Sequence, residues 1–162
     1  MEPEPRRLLI FDLDETLVHA SAFPLAHPCD FEVGPYLVYQ RPFARELIDL
    51  AAARFDLAVW SSSSAAYVAA IVERLFAGVP LRFAWSVERC VQRADARSNS
   101  YVYIKDLRKA QKFGYTLERM TIIDDSPEKI CRQPRCHLAV APFTGARDDV
   151  ALLVLGQILR LA

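Results

Sequence analysis

Apolar residues fall along this chain in two alternating rhythms. Short unbroken runs read as strands buried on both faces: Arg7 to Asp14 (RLLIFDLD), Asp56 to Trp60 (DLAVW), Leu81 to Trp85 (LRFAW), Met120 to Asp124 (MTIID) and His137 to Val140 (HLAV). Between them apolar residues recur three and four apart. Pro42 falls in the first turn of a helix whose stripe is Phe43, Leu47, Leu50 and Arg54, with Ala51 filling it. Ser64 can cap a second helix with Val68, Ile71, Val72 and Leu75 on one face and Gly78 closing it. Further helices are predicted over Leu107 to Phe113, ending at Gly114, from Ser126-Pro127-Glu128, and over Asp148 to Leu161. Phe31 to Gln40 has β-formers on both sides of Gly34-Pro35 and predicts a hairpin. Val91 to Ser100 is polar, a loop or hairpin tip, and Tyr101 to Lys105 is a short extended piece. Strands alternating with helices predict an α/β fold around a mainly parallel central sheet.

Composition narrows the class. At 162 residues, 52% hydrophobic and 25% charged, the chain suits one globular domain over residues 1–162 with a full core. Twenty basic residues offset twenty acidic ones, so nucleic acid is not held by bulk charge, although a local basic patch is compatible. No membrane segment or export signal is expected: MEPEPRRLLIF has a short apolar run before Asp12, and VALLVLGQILRLA is too short to span a bilayer. Cys131, Cys136 and His137 hint at a metal site, but Cys29 and Cys90 do not complete it, so four reduced thiols and a cytoplasmic location are expected.

The chemistry gathers where strands end. Asp12 and Asp14 end the first strand, serines 61 to 64 end the second, Lys105 ends the extended piece, and Asp124-Asp125 ends MTIID. In a parallel sheet the carboxyl ends open on one edge, where ligands bind, especially at a switch in strand order. If the ligand is a phosphate ester, each part has a chemical job: residues i and i+2 of an extended segment point the same way, so Asp12 and Asp14 can both approach one phosphoryl group. One carboxylate can attack phosphorus while the other protonates the leaving alkoxide and later takes a proton from water. Further carboxylates repel in such a pocket unless a divalent cation joins them, and Mg²⁺ prefers this oxygen chemistry. A serine hydroxyl can donate to phosphoryl oxygens, and Lys105 adds positive charge.

The order DLDETLVH, WSSS, KDL, IDDSP, with Arg41-Pro42 before the first helix, resembles the haloacid-dehalogenase superfamily. More narrowly it resembles the FCP/SCP-like, carboxy-terminal-domain phosphatase group, over about Arg7 to Phe143. The resemblance implies a Rossmann-like three-layer α/β/α fold with a small β-hairpin flap. It also implies Asp12 as nucleophile, Asp14 as general acid/base, and Mg²⁺ held by Asp12, the Asp14 backbone carbonyl and Asp125. Asp124 would lie beside them, meeting Lys105 or a metal-bound water. Ser61 aligns with the phosphate-binding hydroxyl, although Thr is usual there and Ser62 offers a second register; Lys105 aligns with the phosphate-stabilising lysine.

Neighbouring residues read as support. Glu15 faces solvent or braces the turn, Thr16 bonds backbone, His19 orders the loop, and Trp60, Tyr101 and Tyr103 pack, though one could border a substrate groove. A receiver domain would place its lysine after the last acidic pair, whereas Lys105 precedes Asp124. A carbon–halogen hydrolase needs no acid at Asp14, and a dead binding module would have lost a carboxylate. Neither interval, Asp14 to Ser61 or Ser61 to Lys105, has room for a large cap domain, so an open site is expected. That suits phosphoserine or phosphothreonine in a protein or peptide, flanked by the 91–100 loop and the 31–40 hairpin. Small or nucleic-acid-end phosphate esters stay open as alternatives.

Overall fold

The computed structural model describes residues 5–161; residues 1–4, where the stretch read for an export signal begins, and residue 162 lie outside it. Strand β1 (Leu8–Phe11) is buried on both faces: Leu9 and Phe11 enter one core, Leu8 and Ile10 the other. It pairs in parallel with β5 (Asp56–Trp60) on one side and β9 (Met120–Asp124) on the other. With β6 (Ala84–Trp85) and β10 (His137–Ala139) these make a five-stranded parallel sheet in the order β10-β9-β1-β5-β6. Strand order reverses about β1, so the crevice at its carboxyl end is the switch point where α/β sheets bind ligands. The register pairs Phe11 with both Val59 and Ile123, so the next residues of all three strands emerge level at that edge.

One face of the sheet is covered by α1 (Ala44–Ala52), α2 (Ala65–Leu75) and α3 (Ala151–Arg160). The other is covered by 3₁₀ turns at Leu107–Phe113, Pro127–Ile130 and Pro134–Cys136, which bury Leu107, Ala110, Ile130 and Cys136. The α/β architecture and its layers are those expected; the segment read as a helix over Leu107 to Phe113 keeps those bounds and ends at Gly114, but it is 3₁₀, as is the short turn that starts at Pro127. Pro134 explains one of them: it lacks an N–H and disfavours helix at Gln133, so the segment begun at Pro127 cannot extend.

Two further small sheets stand at the active edge. Strands β2 (Val18–Ser21), β3 (Phe31–Val33) and β4 (Tyr36–Gln40) form an antiparallel flap in the order β2-β4-β3. The Phe31 to Gln40 hairpin is as read, turning at Gly34 with φ 54°; its third strand, β2, was not anticipated. Strands β7 (Val91–Asp95) and β8 (Ser100–Ile104) form a hairpin that delivers Lys105. Among the described residues no larger cap covers the sheet edge, and no helix is long and apolar enough to cross a membrane.

Two local expectations need correction. Helix α1 starts at Ala44, beyond Pro42, and its buried stripe is Ala44, Leu47, Ile48 and Ala51 rather than Phe43, Leu50 and Arg54. Arg41 is the reason. Its guanidinium, 1% exposed, forks onto Asp149 at 2.9 and 3.1 Å and donates to the carbonyls of Glu15 and Thr16. Its N–H donates to Leu17 O, so the chain is pinned at Arg41 and turns sharply, with Phe43 at φ 68°, before a helix can begin. Tyr101, read as a packing group, is 58% exposed on the β8 hairpin strand, whereas Trp60 is fully buried against Trp85.

Candidate active site

Beyond β1 the backbone folds into a tight loop. Leu17 N–H and Val18 N–H both donate to Leu13 O, and Glu15, at φ 63°, donates to Val18 O. This loop holds Asp12 at the mouth of the switch-point crevice, with its N–H donating to Ile123 O of β9 at 3.0 Å. Asp124 and Asp125 emerge from β9 beside it. The three carboxylates of Asp12, Asp124 and Asp125 each offer an oxygen within 4.8 Å of the others.

Lys105 sits among them. Its ammonium, fully buried, donates to Asp12 Oδ1 at 2.9 Å and Asp124 Oδ2 at 2.5 Å. Burial raises the Asp12 carboxyl, but Lys105, with smaller help from Lys129 and Thr16, more than offsets it and holds Asp12 below its ordinary range. Burial lowers Lys105 in turn, and the two carboxylates more than restore it, so it is held protonated. The acids are not fully balanced. Burial and the charge of Asp12 raise Asp125 to about 7, and raise Asp124 despite Lys105. Three carboxylates around one lysine leave excess negative charge, and all the donors are oxygens. That donor set fits a hard divalent cation.

Supporting bonds fix the acids. Thr16 Oγ1 donates to Asp12 Oδ2 at 2.9 Å and lies 3.3 Å from Asp125 Oδ1, so it braces carboxylates rather than backbone as read. Asp124 Oδ1 accepts from Ser126 N–H, and its carbonyl lies 2.7 Å from His137 Nε2. His19 Nδ1 lies 3.0 Å from Glu15, bracing the loop between them.

Asp14 is held differently. Strand β1 ends at Phe11, so the alternation expected to aim Asp12 and Asp14 alike does not govern them. The Asp14 carboxylate accepts from Tyr67 Oη at 2.5 Å, in the first turn of α2, and from Ser63 Oγ at 2.6 Å, in the turn before it. The serine run divides its work. Ser61 is buried and its Oγ accepts from Ser63 N–H; Ser62 Oγ accepts from Lys129 Nζ at 2.8 Å; Ser64 caps α2 by accepting from Tyr67 N–H. An open pocket of about 380 Å³ lies beside Asp14, lined by Glu15, Ala20, Tyr36, Ser63, Ser64 and Tyr67. Tyr36 reaches it from the flap, its ring edge-on to Tyr67.

All the carboxylates, both candidate serines and Lys105 thus lie at one sheet edge. Tyr67 and Lys129 were missed by sequence reasoning, and Ser63 was read only as part of the serine run. Tyr67 had a signal, since a residue three beyond a cap lies in the helix's first turn, facing the same edge. The Cys131, Cys136 and His137 group does not converge: Cys131 is exposed, Cys136 Sγ donates to Leu117 O, and His137 turns to Asp124.

Comparison with known proteins gives the family and the fold. Among curated proteins, a probable C-terminal domain small phosphatase of Dictyostelium discoideum is 29% identical over 155 residues, covering 91% of this chain and 47% of that one. A human CTD small phosphatase-like protein is 27% identical, covering 91% and 53%. The chain spans about half the length of these relatives. Among solved structures, fission yeast Fcp1, an RNA polymerase II CTD phosphatase, superposes with a TM-score of 0.65 at 17% identity over 96% of this chain and 50% of that one. A putative β-phosphoglucomutase from Thermotoga maritima superposes at 0.57 with 14% identity, covering 93% and 91%. These two share the fold. A family model for NLI interacting factor-like phosphatases matches residues 7–162, and the chain belongs to that family.

Proposed function

We propose that this protein is a Mg²⁺-dependent phosphatase that hydrolyses phosphate monoesters through an aspartyl-phosphate on Asp12, acting on phosphoserine or phosphothreonine of proteins. One observation carries the reading. Asp12 is held ionised at the switch point by Lys105 and Thr16, while a second carboxylate, Asp14, is held apart on neutral hydroxyls.

In the first step an Asp12 oxygen attacks phosphorus. The bond to the ester oxygen breaks, and Asp14 gives that oxygen its proton. In the second, water attacks the phosphorus of the aspartyl-phosphate, Asp14 takes a proton from the water, and the Asp12 carboxylate and inorganic phosphate are released. Lys105 keeps Asp12 charged before attack and faces the negative charge that develops. Asp12, Asp125 and the Asp14 carbonyl would hold Mg²⁺, with Asp124 beside them; when bound, the ion offsets the carboxylate excess and phosphoryl charge. The buried Ser61 hydroxyl and its neighbour Ser62 are the phosphate donors from β5.

The open edge supports a protein substrate: the flap and the β7–β8 hairpin flank it without closing over it. The relatives' names point the same way, since one is a human phosphatase of the RNA polymerase II carboxy-terminal domain. We read residues 1–162 as one catalytic domain. Its four free cysteines suit a reducing compartment and hence the cytoplasm, although one relative is named a nuclear envelope phosphatase.

The test is phosphate release from an aryl phosphate with and without Mg²⁺, followed by phosphopeptide and metabolite panels. Turnover should require Mg²⁺, and kcat/KM should be highest on phosphopeptides. Metal-independent turnover would overturn the mechanism; far higher kcat/KM on metabolites or nucleic-acid ends would overturn the substrate.

A further inference from the structure

Lys105 is fully buried and gives two of its three N–H bonds to acids, so it is not the cation a substrate meets first. A second lysine is held beside it. Lys129 lies in the 3₁₀ turn after β9, and its carbonyl accepts the Lys105 N–H at 2.8 Å. From that shared backbone bond the side chains part. Lys105 runs inward to the carboxylates; Lys129 crosses to the end of β5 and donates to Ser62 Oγ at 2.8 Å.

Lys129 is half-buried, yet among the described residues no carboxylate lies within ion-pair reach of it. Removing an ammonium from water and giving it only a neutral hydroxyl is unfavourable, so such groups ordinarily extend into solvent or meet an acid. Its charge is nonetheless felt at Asp12, where it helps keep the carboxyl low. Ser62 is also unlike its neighbours. The Oγ of Ser61, Ser63 and Ser64 each bond within the β5–α2 turn or to Asp14, whereas Ser62 accepts from Lys129 of the turn after β9; its hydroxyl proton, like those of Ser61 and Ser64, is left free to donate. An ammonium with two further N–H bonds and a hydroxyl with a free proton therefore stand together beside the nucleophile.

We infer that Lys129 and Ser62 bind the non-bridging oxygens of the substrate phosphoryl group, with Lys129 as the cation that the incoming phosphate pairs with. This rests on Asp12 being the attacked site's nucleophile. A phosphomonoester carries nearly two negative charges at neutral pH, and this edge is otherwise acidic. Lys129 supplies the attraction that lets an anion enter beside Asp12, Asp14, Asp124 and Asp125.

The experiment measures binding of inorganic phosphate to the Mg²⁺-loaded protein by calorimetry, alongside kcat and KM on a phosphopeptide. Lys129→Ala and Lys129→Gln should weaken phosphate binding by about 10- to 100-fold and raise KM in proportion, as expected for loss of one charge-assisted hydrogen bond. Lys129→Arg should recover most of it, and Ser62→Ala should lose about 3- to 10-fold. Lys129→Gln keeps most of the side chain and a polar end while removing the charge, so a fold defect in Lys129→Ala does not decide the result. Phosphate affinity unchanged in Lys129→Gln overturns the inference. So does a loss confined to peptides with an acidic residue beside the phosphoserine, which would assign Lys129 to a flanking subsite. Calorimetry reads Lys129 even if turnover is absent, so failure here is separable from failure of the Asp12 mechanism.

Discussion

The two halves of the site hold their carboxylates by opposite means. In the deeper half, charge is met by charge: Asp12 and Asp124 share the fully buried Lys105, which holds Asp12 below its ordinary range. In the outer half, Asp14 is met by the neutral hydroxyls of Tyr67 and Ser63. The difference matches two jobs: a nucleophile must stay ionised, whereas an acid/base must cycle between states.

The comparison breaks most severely at Lys105. Lys105→Met removes the shared cation and leaves two buried acids without it, so turnover should vanish and unfolding free energy should fall by about 3–5 kcal/mol, read by urea denaturation. A loss under about 1 kcal/mol would mean the deeper half is not balanced by charge. Asp14→Asn should leave the fold intact and lower kcat by roughly 10²- to 10⁴-fold, the usual range for a positioned acid/base. Equal kcat in the variant would remove Asp14 from the mechanism. Tyr67→Phe keeps the ring against Tyr36 and removes one of the two hydrogen bonds to Asp14, so kcat should fall by about tenfold or less with Tm nearly unchanged.

A carboxylate outside both halves gives the smallest effect and serves as a control. Asp106, capping the 107–113 turn, is held well below the ordinary carboxylate range by Arg108, against an opposing push from burial and with help from Arg132 and Gln133. A depressed acid stabilises the fold above its unfolded value, near 4, and that contribution disappears as pH falls towards its lowered folded value. Asp106→Asn should therefore cost stability at pH 7 and progressively less below about pH 4, followed by Tm against pH. A constant difference across that window would contradict the assignment.

Much of this arrangement was legible because strands buried on both faces write themselves as unbroken apolar runs, and a polar residue after such a run marks the sheet edge. Asp56 to Trp60 and Met120 to Asp124 are read from sequence with the bounds the structure has. Convergence of the acids follows from parallel order. What stayed hidden depends on distant partners. The sharp turn before α1 exists because Arg41 is pinned by Asp149, more than a hundred residues later. Nothing in SSSS says which hydroxyl serves Asp14, which meets Lys129 and which caps α2, since each choice is made by the element facing it. Lys129 follows a Pro-Glu pair like any surface lysine; only the end of β5 opposite makes it part of the site. Short turns of 3₁₀ helix carry too few residues to show a period of their own.

The central claim is that Asp12 receives the phosphoryl group. Crystals soaked with beryllium fluoride and Mg²⁺ test it most directly, since the fluoride imitates a phosphoryl group on a carboxylate. Density joining beryllium to an Asp12 oxygen is the expected result. An adduct on Asp14, Asp124 or Asp125, with Asp12 unmodified, would contradict it.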